Sequence, residues 1–145
     1  MLIFFDIDGV LRKMQDPIGI LNPALVANLE VTCQLYQHVR IVISSSWKLM
    51  YSIKEIKLLF SEALQKRIIG VTPDLYSPGC SQQRLDEITS WISKHNYQGH
   101  WIVIDDQPNF FPPGFNQLLI TDGSKGYDSE LQNKCHDLIT ALSSP

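Results

Sequence analysis

Three apolar runs in this chain end in oxygen-bearing side chains. Leu2 to Ile7 holds Asp6 and is followed at once by Asp8. Val39 to Ile43 is followed by Ser44, Ser45 and Ser46, and Trp101 to Ile104 by Asp105 and Asp106. An aspartate inside an apolar strand is costly unless it is paired or holds a metal. A turn role is an ordinary reading for Asp8 before Gly9 and a poor one for Asp6. If the three ends meet, four carboxylates share one crevice, and their pKa values rise unless a cation compensates them. Oxygen-only ligands suit Mg²⁺, which keeps several waters and takes one or two carboxylates plus a substrate phosphate. The serines supply the hydroxyl and amide donors that a phosphate needs. No Ser-His-Asp or Cys-His set competes, because His38, His95, His100 and His136 sit in no motif.

The elements that must position these groups follow from periodicity. The three continuous apolar runs suit strands buried on both faces. Ile68 to Val71 and Leu118 to Thr121 read as two further strands. Asn22-Pro23 is a helix start, and Leu25, Leu29, Thr32, Cys33 and Tyr36 recur at helical spacing over 23–37. The pattern predicts further helices over 52–65, with Ile53, Ile56, Leu59, Phe60 and Ala63 inward, over 83–95, and over 128–142. Strands alternating with helices argue an α/β fold, a Rossmann-like three-layer sandwich around a mainly parallel sheet. In such sheets the ligand site lies outside the carboxyl ends of the strands.

The composition narrows the options. A chain of 145 residues is one domain's worth, 1–145. With 44% apolar and 19% charged residues it is expected to be globular rather than disordered. A net charge of −3 gives no basic footprint for tight non-specific nucleic-acid binding. Cys33, Cys80 and Cys135 form no CxxC pair, so free thiols in a reducing compartment are expected. No run reaches membrane-spanning length, and no signal peptide is visible, so the expected location is the cytoplasm.

Ile3-Phe4-Phe5-Asp6-Ile7-Asp8-Gly9-Val10-Leu11 resembles the first motif of the haloacid dehalogenase (HAD) superfamily. Ile41-Val42-Ile43-Ser44-Ser45 resembles its second, and Trp101-Ile102-Val103-Ile104-Asp105-Asp106 its fourth. Ser45-Ser46-Trp47, Gly70-Val71-Thr72-Pro73 and Arg84-Leu85-Asp86-Glu87-Ile88 are also similar to the small HAD domains of Swiss Army Knife RNA-repair proteins. The resemblance implies a Mg²⁺-dependent phosphatase. Asp6 would be the nucleophile and Asp8 the general acid and base, with Asp105 and Asp106 completing the metal site. For the phosphate hydroxyl it leaves Ser44 and Ser45, favouring the residue two before Trp47, which is Ser45. For the phosphate-stabilising cation it leaves Arg84, at the start of the 83–95 helix, and Lys48.

The stretches between Asp8 and Ser45 and between Ser46 and Arg84 have no room for a large lid. A capless, open site suits a bulky substrate such as a nucleic-acid end or a phosphoprotein, since small metabolites usually need a lid to exclude water. The alternatives are a phospho-acceptor signalling module and a non-catalytic phosphate-binding domain. Trp47, Trp91 and Trp101 are expected in the core, Phe110, Phe111 and Phe115 in loop packing, and Asp122 in a turn.

Overall fold

The computed structural model describes residues 1–143. In chain order the elements are β1 (Leu2–Phe5), α1 (Pro23–Leu35), β2 (Arg40–Ile43), α2 (Ile53–Lys57), α3 (Glu62–Gln65), β3 (Ile68–Val71), α4 (Gln83–Lys94), β4 (Trp101–Asp105), β5 (Leu118–Ile120) and α5 (Ser129–Ser143). Single turns of 3₁₀ helix follow β2 at Ser46–Leu49 and β4 at Pro108–Phe110.

All five strands are parallel, in the order β3-β2-β1-β4-β5. Period-two alternation splits the strand side chains between two cores. Ile3, Phe5, Ile41, Ile43, Ile102 and Ile104 face one way and pack with Leu25, Leu29 and Ile139 from α1 and α5. Leu2, Phe4, Val42 and Val103 face the other way and pack with Ile88 and Trp91 of α4 and with Phe111. Helices thus cover both faces, giving the α/β three-layer sandwich. The segments 6–22 and 72–82 contain no helix or inserted domain that could act as a lid. No helix among the described residues is long and apolar enough to cross a membrane.

The helix expected over 52–65 is two short ones. Ser52 and Glu55 form a reciprocal capping box that starts α2. Ser61 then accepts the Leu64 amide proton and starts α3 as a separate turn. Ile56, Phe60 and Leu64 are buried, whereas Leu59 is exposed and Ala63 faces solvent.

Past β5, the segment 121–127 returns to the loop that leaves β1. Thr121 Oγ1 donates to the Gly9 carbonyl at 2.8 Å, and the Tyr127 amide donates to the Val10 carbonyl at 2.7 Å. The Met14 amide closes the pair by donating to the Gly123 carbonyl at 2.8 Å. Asp122 is the expected turn, with Oδ1 accepting from the Ser124 amide.

Candidate active site

The parallel register aligns the chemistry. Phe5 of β1 pairs with Ile43 of β2 on one side and with Ile104 of β4 on the other. One residue further along each chain come Asp6, Ser44 and Asp105, abreast at the carboxyl ends of three adjacent strands. The strand order reverses at β1 and β4, the switch point where open parallel sheets bind ligands. Asp6 continues the parity of Phe4 and Asp105 that of Val103, so both side chains point to the α4 face. Arg84, on the first turn of α4, meets them there.

One nitrogen of Arg84 makes every contact to this floor. Nη1 lies 3.0 Å from Asp105 Oδ2 and 3.3 Å from Asp6 Oδ2, and it donates to the Ser44 carbonyl. Nε and Nη2 remain for a ligand. Burial pulls the guanidinium pKa down, but Asp6 and Asp105 outweigh it and the net shift is upward. The ring of Phe110 lies 5.4 Å from the guanidinium carbon, so this phenylalanine belongs to the site wall, while Phe111 and Phe115 stack on each other in the core.

Asp6, Asp105 and Asp106 each offer a carboxylate oxygen within 4.8 Å of the others. Burial raises the pKa of Asp6, with Arg84 and the Ile7 amide pulling the other way. Asp105 is pushed up to about 8 by burial and by the charge of Asp6. Asp106 is raised chiefly by burial. Three carboxylates crowded beyond what one arginine neutralises fit a hard divalent cation. Gly9 allows the approach of Asp106. It sits at φ +73°, and a Cβ there would lie 2.2 Å from Asp106 Oδ2.

Asp8 stands apart from this trio, closer to solvent. Its Oδ1 accepts from Arg12 Nε at 2.6 Å and its Oδ2 from the indole N–H of Trp47 at 3.0 Å. Trp47 is in the core as expected and also positions Asp8. Ser45 hydrogen-bonds to Asp6, while Ser44 Oγ is buried with no partner among the described residues. Lys48 has its ammonium fully engaged, donating to Glu87 Oε2 at 2.5 Å, the Pro73 carbonyl at 2.8 Å and Thr72 Oγ1 at 3.2 Å. A cleft of about 280 Å³ opens here, and its walls include Asp6, Asp8, Lys48, Arg84, Asp106 and Phe110 but not Ser44, Ser45 or Asp105.

The family model for the HAD domain in Swiss Army Knife RNA repair proteins matches residues 2–130. The chain belongs to this HAD family. No curated protein and no solved structure gives a significant match. In this HAD domain, sequence reasoning assigns no role to Arg12 and Glu87, and it places Trp47 in the core without its bond to Asp8. Arg12 stands four residues after Asp8. Glu87 stands three after Arg84, on the inward stripe with Ile88 and Trp91. A buried-face glutamate at that spacing is the signal that could have pointed to it.

Proposed function

We propose that this HAD domain is a Mg²⁺-dependent phosphomonoester hydrolase that works through an aspartyl-phosphate on Asp6. The observation that carries the reading is the trio Asp6, Asp105 and Asp106 within 4.8 Å, with Arg84 bridging Asp6 and Asp105 at the sheet's switch point. Asp6, Asp105 and Asp106 would hold the ion, with the Asp8 backbone carbonyl as a further ligand. When bound, Mg²⁺ offsets the charge of these carboxylates and of the substrate phosphate.

Asp6 attacks phosphorus as the bond to the leaving oxygen breaks, and that oxygen takes a proton from Asp8. Water then attacks the same phosphorus and gives its proton to Asp8. The bond from phosphorus to Asp6 breaks, and phosphate leaves. Splitting the reaction in two lowers each barrier. Arg84, not Lys48, is the cation for the phosphate, because all three ammonium protons of Lys48 are already taken. Ser45, beside Asp6, supplies the hydroxyl. The open cleft admits the phosphorylated end of a bulky substrate, such as a nucleic-acid end or a phosphoprotein.

The test is phosphate release from p-nitrophenyl phosphate. Wild type should turn over in Mg²⁺ and stop in EDTA. Asp6→Asn, with unchanged circular dichroism, should lose at least about a thousandfold. Activity of Asp6→Asn within about tenfold of wild type would overturn the nucleophile assignment.

A further inference from the structure

The cleft carries more acid than its cations can meet. Asp6, Asp8, Asp74, Glu87 and Asp106 line it, against Lys48 and Arg84 alone. Lys48 is committed to Glu87, and Arg84, whose Nη1 already meets Asp6 and Asp105, has its remaining nitrogens for the first phosphate alone. Arg12 is committed to Asp8. The chain's neighbouring cations Lys13 and Lys125 are not part of the cleft wall. One arginine and one metal ion serve one phosphate, and among the described residues that line the cleft no further cation remains to receive a second.

Beside the neutral Ser46, Gln83 and Gln107, the wall carries apolar side chains. Met14, Leu49 and Phe110 line the cleft. Met14 is 55% exposed and Leu49 63% exposed. The loops that follow β2 and β3 also carry exposed Met50, Tyr51, Leu75 and Tyr76. Asp6 lies at the floor, 4% exposed. In an in-line displacement the leaving oxygen departs on the side opposite the nucleophile, here toward the mouth, past Asp8 and onto these apolar side chains.

Resting on the phosphoryl-transfer reading above, we infer that the cleft takes a phosphomonoester of a neutral, apolar or aromatic alcohol and has no subsite for a second phosphate. A second phosphate on the leaving group meets Asp74, and Asp8 with Arg12 already spent on it, so no free cation of the cleft wall offsets its charge. A nucleic-acid end is therefore engaged through its terminal group alone, and its backbone gains nothing. Each backbone phosphate gripped by a lysine or arginine would instead steepen the fall of affinity with salt.

The experiment compares kcat/KM for phenyl phosphate, thymidine 5′-phosphate, thymidine 3′,5′-bisphosphate and a 5′-phosphorylated oligothymidylate at low and moderate NaCl. Phenyl phosphate should lead. The bisphosphate should fall at least about tenfold below the monophosphate, and the oligonucleotide should show no steeper salt dependence than the mononucleotide. Asp74→Lys should narrow the bisphosphate gap, and Leu49→Ser should raise KM for phenyl phosphate more than it lowers kcat. An oligonucleotide that outruns the mononucleotide and loses its advantage with salt would overturn the inference in favour of a backbone-reading nuclease-like groove. The same ranking is measured as calorimetric binding in Mg²⁺. Lack of turnover on every substrate would thus overturn the hydrolase reading, while the binding order still decides the inference.

Discussion

Replacing Arg84 by Met keeps most of the side-chain volume and removes the charge. Asp6 and Asp105, 4% and 0% exposed, would then face each other across β1 and β4 with no positive partner. Breaking a buried ion pair by deleting one member typically costs about 3–5 kcal/mol, because the remaining charge stays buried. Asp105 can escape by binding a proton, since its pKa is already pushed up to about 8. The loss should therefore be largest above that value and smaller near pH 6. Mg²⁺ should restore part of it, about 2.7 kcal/mol at a hundredfold excess over its dissociation constant. Urea unfolding, followed by tryptophan fluorescence in EDTA and then in Mg²⁺, measures both effects. The double variant Arg84→Met/Asp105→Asn should recover most of the loss, because it removes the stranded charge. A loss under about 1 kcal/mol in EDTA above pH 8, or no recovery in the double variant, would refute the charge-compensation reasoning.

Metal-free protein should melt lower as pH rises from about 5.5 to about 8.5. Asp6, Asp105 and Asp106 are raised in the folded state, so it binds more protons than the unfolded chain between about pH 4 and 8, and stability falls with pH there. Mg²⁺ should flatten that slope, and differential scanning calorimetry in EDTA and in Mg²⁺ would read it; a slope of opposite sign would dispose of the idea. Asp8→Asn should slow phosphoenzyme formation from an alkyl phosphate by about 10²–10⁴-fold and far less from p-nitrophenyl phosphate. Rapid-quench kinetics separates that step from dephosphorylation, and equal losses on both substrates would deny Asp8 its acid role. Gly9→Ala combines a positive φ with a Cβ 2.2 Å from Asp106 Oδ2, so it should cost more than about 1–3 kcal/mol or displace Asp106. Weakened Mg²⁺ binding by calorimetry would show it, and wild-type affinity and stability together would contradict it.

The row of Asp6, Ser44 and Asp105 was legible because parallel strands put their ends together. Three apolar runs ending in Asp6, Ser44 and Asp105 needed only adjacent, in-register strands to converge. The split of 52–65 was hidden because its apolar spacing is helical throughout. Only the side chain of Ser61, taking the Leu64 amide, restarts the chain. Arg84 and Lys48 looked alike in sequence, both cations close to a cluster of polar residues. What separates them is the set of acceptors around each, built from Thr72, Pro73 and Glu87 for Lys48. Arg12 and Trp47 escaped notice as partners of Asp8 because their role depends on how the loop after β1 folds back, which no periodicity encodes.

The return of segment 121–127 onto the loop after β1 also sets an order of events in time. Asp6 and Asp8 are synthesised well before Thr121 and Tyr127, yet those two later residues pin the backbone that carries Gly9 and Val10. Asp105 and Asp106 are likewise made late. A nascent chain halted before residue 121 has Asp6 and Asp8 without the clamp that fixes the loop after them. The loop that follows β1 is therefore fixed only once residues 121–127 have been made, and a chain stopped short of them carries Asp8, Gly9 and Val10 without that clamp.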